Sequence, residues 1–355
     1  MKLSNPQSLL AELPPESKIL ILRLRSLGDL VLETPVIAAL HAWRPDLRVS
    51  VLAEPRFAPV FEGNVAVSEL IQARGFAETM REIRGGKFAA VFNQHGGPRS
   101  ALLTAASGSG RRVCWKGFQL SWAYNVLVPD AKEFYGRAIV HTVEHRISQF
   151  YATGLPRGPI PRAQVFPQEK AMSAVRTSLA EKGIDGARSY AVLQPGGRLA
   201  SMRWPAAKFA EVARGLREKH GMLSVVNVGA GDAEVKAELQ RELGGCSVIL
   251  EGLGVPELIA VVAGAQIFVG NDSGPAHLAA ASARPAVVIY GPTNPAQWHP
   301  WQTEYRAIHT DAVFNPRRGD KTIAERETRP IGAIGAEEVS AACDDLLAKD
   351  GRKSG

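Results

Sequence analysis

Short apolar runs alternate with amphipathic stretches along most of this chain. Residues 18–24 (KILILRL) form a continuous apolar run of the kind that a strand buried on both faces requires. Residues 47–53, 88–92 and 111–115 repeat that pattern, and helical spacing is predicted over 30–43, 100–106 and 141–153. The stretch 154–167 then carries four prolines and reads as a linker. Beyond it a second series begins. Strands are predicted over 191–194, 224–228, 248–250, 266–269 and 285–290, with helices over 205–220, 233–243, 256–265 and 276–283 between them. After Trp301 the pattern weakens through a basic, turn-rich stretch, 314–329, and ends in an amphipathic helix over 336–348. Strands alternating with helices predict an α/β protein with doubly wound parallel sheets. The proline-rich break predicts two Rossmann-like domains, 1–160 and 161–349, the last helix packing back toward the first domain.

The turns between these elements hold the candidate chemistry, because ligands of open α/β sheets bind at the carboxyl ends of the strands. Arg25-Ser26-Leu27-Gly28-Asp29 follows the first strand, and a helix start there keeps the Asp29 carboxylate ionised. Asp29 is then either a general base or a helix cap. Pro195 to Pro205 places Gly196, Gly197, Arg198 and Arg203 after a strand. Glycines let main-chain N–H groups approach phosphate, and guanidiniums can fork onto it; a solvated basic loop is the alternative. Val228-Gly229-Ala230-Gly231 contains G-x-G without the third glycine of a dinucleotide fingerprint, so an NAD-dependent oxidoreductase has only weak support. Asn271-Asp272-Ser273-Gly274 turns the chain into a helix begun by Pro275. Asp272 or Ser273 caps that helix or its N–H groups meet an anion, and His277 faces inward as a ligand or as a core residue.

Composition narrows the classes. A net charge of +7 favours an anionic partner: nucleotide, nucleic acid or membrane surface. The basic residues Arg317, Arg318 and Arg326 lack interleaved aromatics, which argues against nucleic acid. The three scattered cysteines form neither C-x-x-C nor a metal-ligand spacing, so a reducing cytoplasm is expected. No apolar run approaches the ~18 residues of a membrane span, and the first residues lack a signal-peptide core. No D-x-D occurs, so the usual aspartate pair for a metal-bound nucleotide sugar is missing.

The order D-S-G-P-A-H-L-A-A-A, then P, V, Y-G-P-T, P and W over residues 272–301 resembles glycosyltransferase family 9, the ADP-heptose:lipopolysaccharide heptosyltransferases. Arg23, Gly28, Asp29 and Pro35 resemble a second family motif, and P-G-G with W-P over 195–205 a third. The family's phosphate-contacting lysine falls at Met202, a departure. This resemblance implies a GT-B architecture, two domains facing a cleft, the first for acceptor and the second for donor. It implies inverting, metal-independent transfer of a heptose or related sugar from ADP-heptose or another nucleotide sugar, with no cofactor and no metal site. Asp29 becomes the catalytic base and Arg25 and Ser26 acceptor contacts. Gly196, Gly197, Arg198, Arg203, Asp272, Ser273, Gly274 and His277 become donor contacts. Glu234, with Asp232 close behind, holds the ribose. The acceptor implied is the anionic lipopolysaccharide inner core, met at the cytoplasmic face of the inner membrane by peripheral contact. A weakened relative that binds sugar nucleotides without efficient transfer is the alternative that Met202 raises.

Overall fold

The structure, a computed structural model, describes residues 6–184, 189–197, 200–229, 233–309 and 330–351. The chain divides into two compact units, Met1–Phe166 and Pro167–Gly355.

In the first unit, β1 (Lys18–Leu22) leads through α1 (Leu27–Val31) and α2 (Thr34–Trp43) to β2 (Arg48–Ala53). Then come β3 (Glu69–Gln72), α3 (Phe76–Gly85), β4 (Ala90–Asn93), α4 (Pro98–Ala106) and β5 (Arg112–Trp115). The unit closes with β6 (Val126–Val128), α5 (Ala131–Tyr135) and α6 (Thr142–Tyr151). The six strands lie in the order β3-β2-β1-β4-β5-β6, and every pairing is parallel. Leu20 and Leu22 of β1 pack with Leu52 and Val91 in one core; Phe92 stacks on Phe150 of α6 at 4.4 Å between ring centroids. A sheet with apolar side chains on both faces is what a continuous apolar β1 requires. The single helix predicted over 30–43 is two helices. Pro35 cannot donate to a preceding turn, so it opens α2, and Glu33 lies at the break.

The second unit holds α7 (Glu169–Ala180), β7 (Tyr190–Gln194), α8 (Ala206–His220), β8 (Leu223–Val228), α9 (Ala233–Glu242) and β9 (Ser247–Glu251). It continues with α10 (Val255–Gly264), β10 (Ile267–Asn271), α11 (Gly274–Ala281) and β11 (Ala286–Tyr290). Last are α12 (Pro295–Trp298), β12 (Tyr305–His309) and α13 (Ala336–Gly351). Its sheet order is β12-β11-β10-β7-β8-β9, again parallel throughout. The last helix, α13, lies against α8 and beneath β10, β11 and β12 of its own unit. Val339, Ala342, Cys343 and Leu346 join Ala213 and Leu216 in that core.

Both sheets therefore have the same winding. Each chain segment starts in the middle, at β1 or β7, moves outward for three strands, and returns to the other side at β4 or β10. The reversal leaves a crevice at the carboxyl ends of β1 and β4, and another at those of β7 and β10, where ligands of such sheets bind. The turns singled out after β1, β7 and β10 fall at these two points, whereas the stretch from Val228 begins at the end of β8, one strand outward.

Candidate functional site

In the first unit four charged side chains, Arg23, Asp29, Glu33 and Arg146, gather at the turn after β1. Ser26 precedes α1 as its N-cap, and Asp29 is the third residue of the helix, in a capping-box arrangement. The Arg25–Ser26 peptide is cis. One Asp29 oxygen, Oδ2, accepts from the Ser26 N–H at 3.0 Å and the Ser26 hydroxyl at 2.9 Å. The other, Oδ1, accepts from Arg23 Nη2 and from Arg146 Nη2, each at 2.5 Å. Arg146 comes from α6, and its Nη1 donates to Glu33 Oε2 at 2.8 Å. Glu33 is fully buried at 0% exposure and the Arg146 side chain nearly so at 4%, so this pair is closed to solvent. Arg23 Nη1 donates to the Gln94 carbonyl.

The electrostatics follow from this packing. Burial alone would raise the Asp29 pKa, but the Arg23 and Arg146 guanidiniums outweigh it and hold the carboxyl well below its ordinary range. Burial raises Glu33, and attraction to Arg146 and Arg23 only partly opposes that. Burial and the neighbouring Arg146 charge lower Arg23, while Asp29 works the other way.

The turn after β4 completes the site. Asn93 Oδ1 accepts from the N–H groups of His95 at 2.9 Å and Gly96 at 3.0 Å. Its Nδ2 reaches Thr104 and Tyr124, each at 3.0 Å. Gly96 and Gly97 have φ of 76° and 83°, a left-handed backbone that favours glycine. His95 is pushed down to about 4 by burial and by the Arg23 and Arg25 charges, so it is neutral at physiological pH. Arg23 Nε, Glu33 Oε1, Gln94 Oε1, His95 Nδ1 and Arg146 Nε are all buried without a hydrogen-bond partner. Native interiors leave few such atoms, and five of them gather beside the carboxyl ends of β1 and β4.

In the second unit Asn271, at the end of β10, ties the two switch-point loops together. Its Nδ2 donates to the Pro195 carbonyl at 2.7 Å, and its Oδ1 accepts from the Trp204 N–H at 3.1 Å. Gly270 must be glycine, because a Cβ there would stand 2.8 Å from the Gln194 Cβ on the neighbouring strand. Arg203 Nε donates to the Gly197 carbonyl at 2.8 Å, bringing these two residues together. A Cβ on Gly197 would meet the Met202 carbonyl at 3.2 Å, so this glycine permits the close approach. Lys208 does not stand in for the lysine absent at Met202. Its Nζ donates to the carbonyls of Gly332 and Ile334, at 2.8 and 2.6 Å.

Ser273 is the N-cap residue of α11, with its hydroxyl donating back to the Asn271 carbonyl at 3.0 Å. Burial pushes the Asp272 carboxyl up to about 6, against a hydrogen bond with Thr293. His277 is 3% exposed in α11, with the Trp298 ring 6.3 Å away.

The structure thus brings Arg25, Ser26 and Asp29 to one crevice and Gly196, Gly197, Arg203, Asp272, Ser273, Gly274 and His277 to the other. Arg198 and Asp232, and the side chain of Glu234, lie outside the described residues, as do Ala230 and Gly231 of the G-x-G stretch. Glu33, Gln94, His95 and Arg146 join the candidate site without having been singled out in the sequence; the glycine pair 96–97 after an apolar run is the one signal that could have pointed to the β4 turn. Among the described residues no helix is long and apolar enough to cross a membrane. No group of three His, Cys, Asp or Glu side chains there could hold a metal.

The model of glycosyltransferase family 9 (heptosyltransferase) matches residues 76–326, well over half of the chain. The match begins after the Asp29 turn, so the standing of that turn rests on its own geometry. Lipopolysaccharide heptosyltransferase 3 of Escherichia coli is 25% identical over 345 residues, covering 90% of this chain and 96% of its own. The solved structure of the glycosyl transferase family 9 protein from Veillonella parvula DSM 2008 superimposes with a TM-score of 0.85 at 22% identity, covering 95% of this chain and 99% of that one. The structure of E. coli ADP-heptose lps heptosyltransferase II gives 0.78 at 23% identity, covering 94% and 99%. At these identities the likeness shows the fold, the two-sheet GT-B type.

Proposed function

The chain belongs to glycosyltransferase family 9, and from that membership we propose that it moves a heptose from ADP-heptose, or a related sugar from another nucleotide sugar, onto a lipopolysaccharide inner-core acceptor. The observation that carries the reading is the pair of switch-point sites. One presents a carboxylate among guanidiniums and the other presents glycine turns and a helix start. The first unit takes the acceptor and the second the donor. Arg25 and Ser26 border the acceptor. Gly196, Gly197, Arg198, Arg203, Asp272, Ser273 and Gly274 surround the donor diphosphate, with His277 behind them and Glu234 at the ribose. Neither the binder that does not transfer nor the NAD-dependent oxidoreductase is favoured, because the family and the named relatives are transferases.

Asp29 acts as the base. It is ionised at any physiological pH, and two guanidiniums make it a weak base. Such a base suits an oxocarbenium-like transition state. The acceptor hydroxyl becomes strongly acidic only once its oxygen has begun to bond to the anomeric carbon, and the proton is taken late. The oxygen enters opposite the leaving diphosphate, which inverts the anomeric centre. Main-chain N–H groups at Ser273 and Gly274 would receive the charge that develops on that diphosphate. The lack of D-x-D supports a reaction without metal. The basic chain, at +7, suits an anionic acceptor presented at the cytoplasmic face of a membrane.

The test is Asp29→Asn. Turnover should fall about 10²- to 10⁴-fold, the usual worth of a positioned base, while ADP-heptose affinity stays near that of the unaltered protein. Near-normal turnover would remove Asp29 from the chemistry.

A further inference from the structure

We propose that Oδ2 is the reacting oxygen of Asp29, and that the Ser26 hydroxyl holds the seat that an acceptor hydroxyl takes. The inference rests on the transfer reading above and asks how a base with no free oxygen can work. A carboxylate offers about four lone-pair positions, and four donors fill them here. Arg23 and Arg146 fill Oδ1; the Ser26 N–H and hydroxyl fill Oδ2. One donor has to leave before a substrate hydroxyl can give up its proton.

The four are not equally free to go. Arg146 is nearly closed to solvent and anchored on Glu33, a fully buried carboxylate. Withdrawing it would strand that charge. Arg23 is held at both terminal nitrogens, Nη2 by Asp29 and Nη1 by the Gln94 carbonyl, with 15% of its side chain exposed. The Ser26 N–H is main chain and already fixed by the start of α1. The Ser26 hydroxyl differs from all three. Its residue is exposed, it turns about a single bond, and it forms the one donor bond to the carboxylate from a neutral, mobile group. Hence Oδ1 is the closed oxygen, and Oδ2 opens when Ser26 rotates. Glu33 is then a positioning residue that acts through Arg146 by keeping Oδ1 shut.

The step balances without another reactant. The acceptor O–H proton passes to Oδ2 as the acceptor oxygen bonds to the anomeric carbon. The bond from that carbon to the diphosphate oxygen breaks, and its electron pair leaves with the nucleoside diphosphate. Protonated Asp29 then returns the proton to solvent.

The experiment is steady-state transfer from ADP-heptose to a de-acylated lipopolysaccharide inner-core acceptor by the full chain and by Ser26→Ala. Calorimetric titration of the acceptor alone accompanies it. Without the competing hydroxyl, the acceptor KM should fall about two- to tenfold, the weight of one exchanged hydrogen bond. The calorimetric Kd should fall with it. Loss of the α1 cap registers separately, in the melting temperature. An acceptor KM that is unchanged or higher, or a hundredfold loss of kcat, overturns the proposal, since Ser26 would then be holding the acceptor or relaying its proton. No transfer by the unaltered protein would refute the transfer reading itself. Transfer by the unaltered protein, without the fall in KM, would refute only the assignment of Oδ2.

Discussion

Replacing Arg146 with methionine would expose the energetics of the charge cluster. The change removes the partner of Oδ1 at 2.5 Å and the partner of Glu33 at 2.8 Å, and leaves Glu33 as a carboxylate at 0% exposure. Breaking a buried pair from one side costs about 3–5 kcal/mol. A second route gives a similar figure. If the stranded Glu33 is neutral in the folded state, folding near pH 7.5 requires protonating a group whose ordinary value is 4.5. That costs about 4 kcal/mol at ~1.36 kcal/mol per pH unit. A carboxyl raised in the folded state binds its proton more tightly than the unfolded chain does. Its stability contribution is therefore full below 4.5 and lost as pH rises. The destabilisation by Arg146→Met should accordingly shrink with falling pH, from at most about 4 kcal/mol near pH 7.5 to at most about 1 kcal/mol near pH 5.5, less the part that the unaltered protein already carries through its own raised Glu33. Because the chain has two units, urea unfolding is best read locally, by hydrogen exchange in peptides spanning 18–43 and 141–153. Glu33→Leu added to Arg146→Met should restore most of the loss, since an apolar pair needs no desolvation of charge. A loss below about 1 kcal/mol, or one that does not change with pH, would show that Glu33 is not the buried, Arg146-dependent carboxylate described here.

Two further outcomes concern the donor side. Arg203 is engaged with the Gly197 carbonyl, so Arg198→Ala should weaken ADP-sugar binding more than Arg203→Ala does. A charged hydrogen bond of about 1.5–3 kcal/mol would be lost, and Met202→Lys should leave affinity equal or better. Calorimetry checks this, and normal binding by Arg198→Ala with a sharp gain from Met202→Lys would show that no arginine replaces the missing lysine. Asp272, raised to about 6 by burial, is charged above that pH and repels a diphosphate. Donor affinity should therefore fall as pH rises through about 6, and Asp272→Asn should flatten the profile; a step that survives the substitution belongs to another group.

How far the sequence could be read depended on burial. β1 and β11, enclosed by their neighbours, show as unbroken apolar runs. β3 has one buried residue in four and β12 has none in five. Edge strands give periodicity little to detect, and both were missed, with the three-residue β6. The Asp29 and Asn271–Gly274 turns were legible because glycine and acidic residues after apolar runs mark strand ends. Arg146 was not. Within 141–153 it reads as one charge on an amphipathic helix, and nothing local says that it meets Glu33, 113 positions earlier. Glu33 lies inside the single helix predicted over 30–43, because helical spacing continues across Pro35. The sequence leaves Asp29 a cap or a base, and its place as the third residue of α1, bonded to Ser26 and two arginines, answers to packing between β1, β4 and α6.

The most direct measurement follows the sugar. The protein is incubated in EDTA with ADP-heptose and the de-acylated inner-core acceptor, and the products are weighed by mass spectrometry and their anomeric configuration read by NMR. The acceptor should gain a single heptose with inversion as ADP appears in equal amount. An acceptor left unmodified, ADP released without it, a retained configuration, or transfer that needs added magnesium or manganese would contradict an inverting, metal-independent heptosyl transfer.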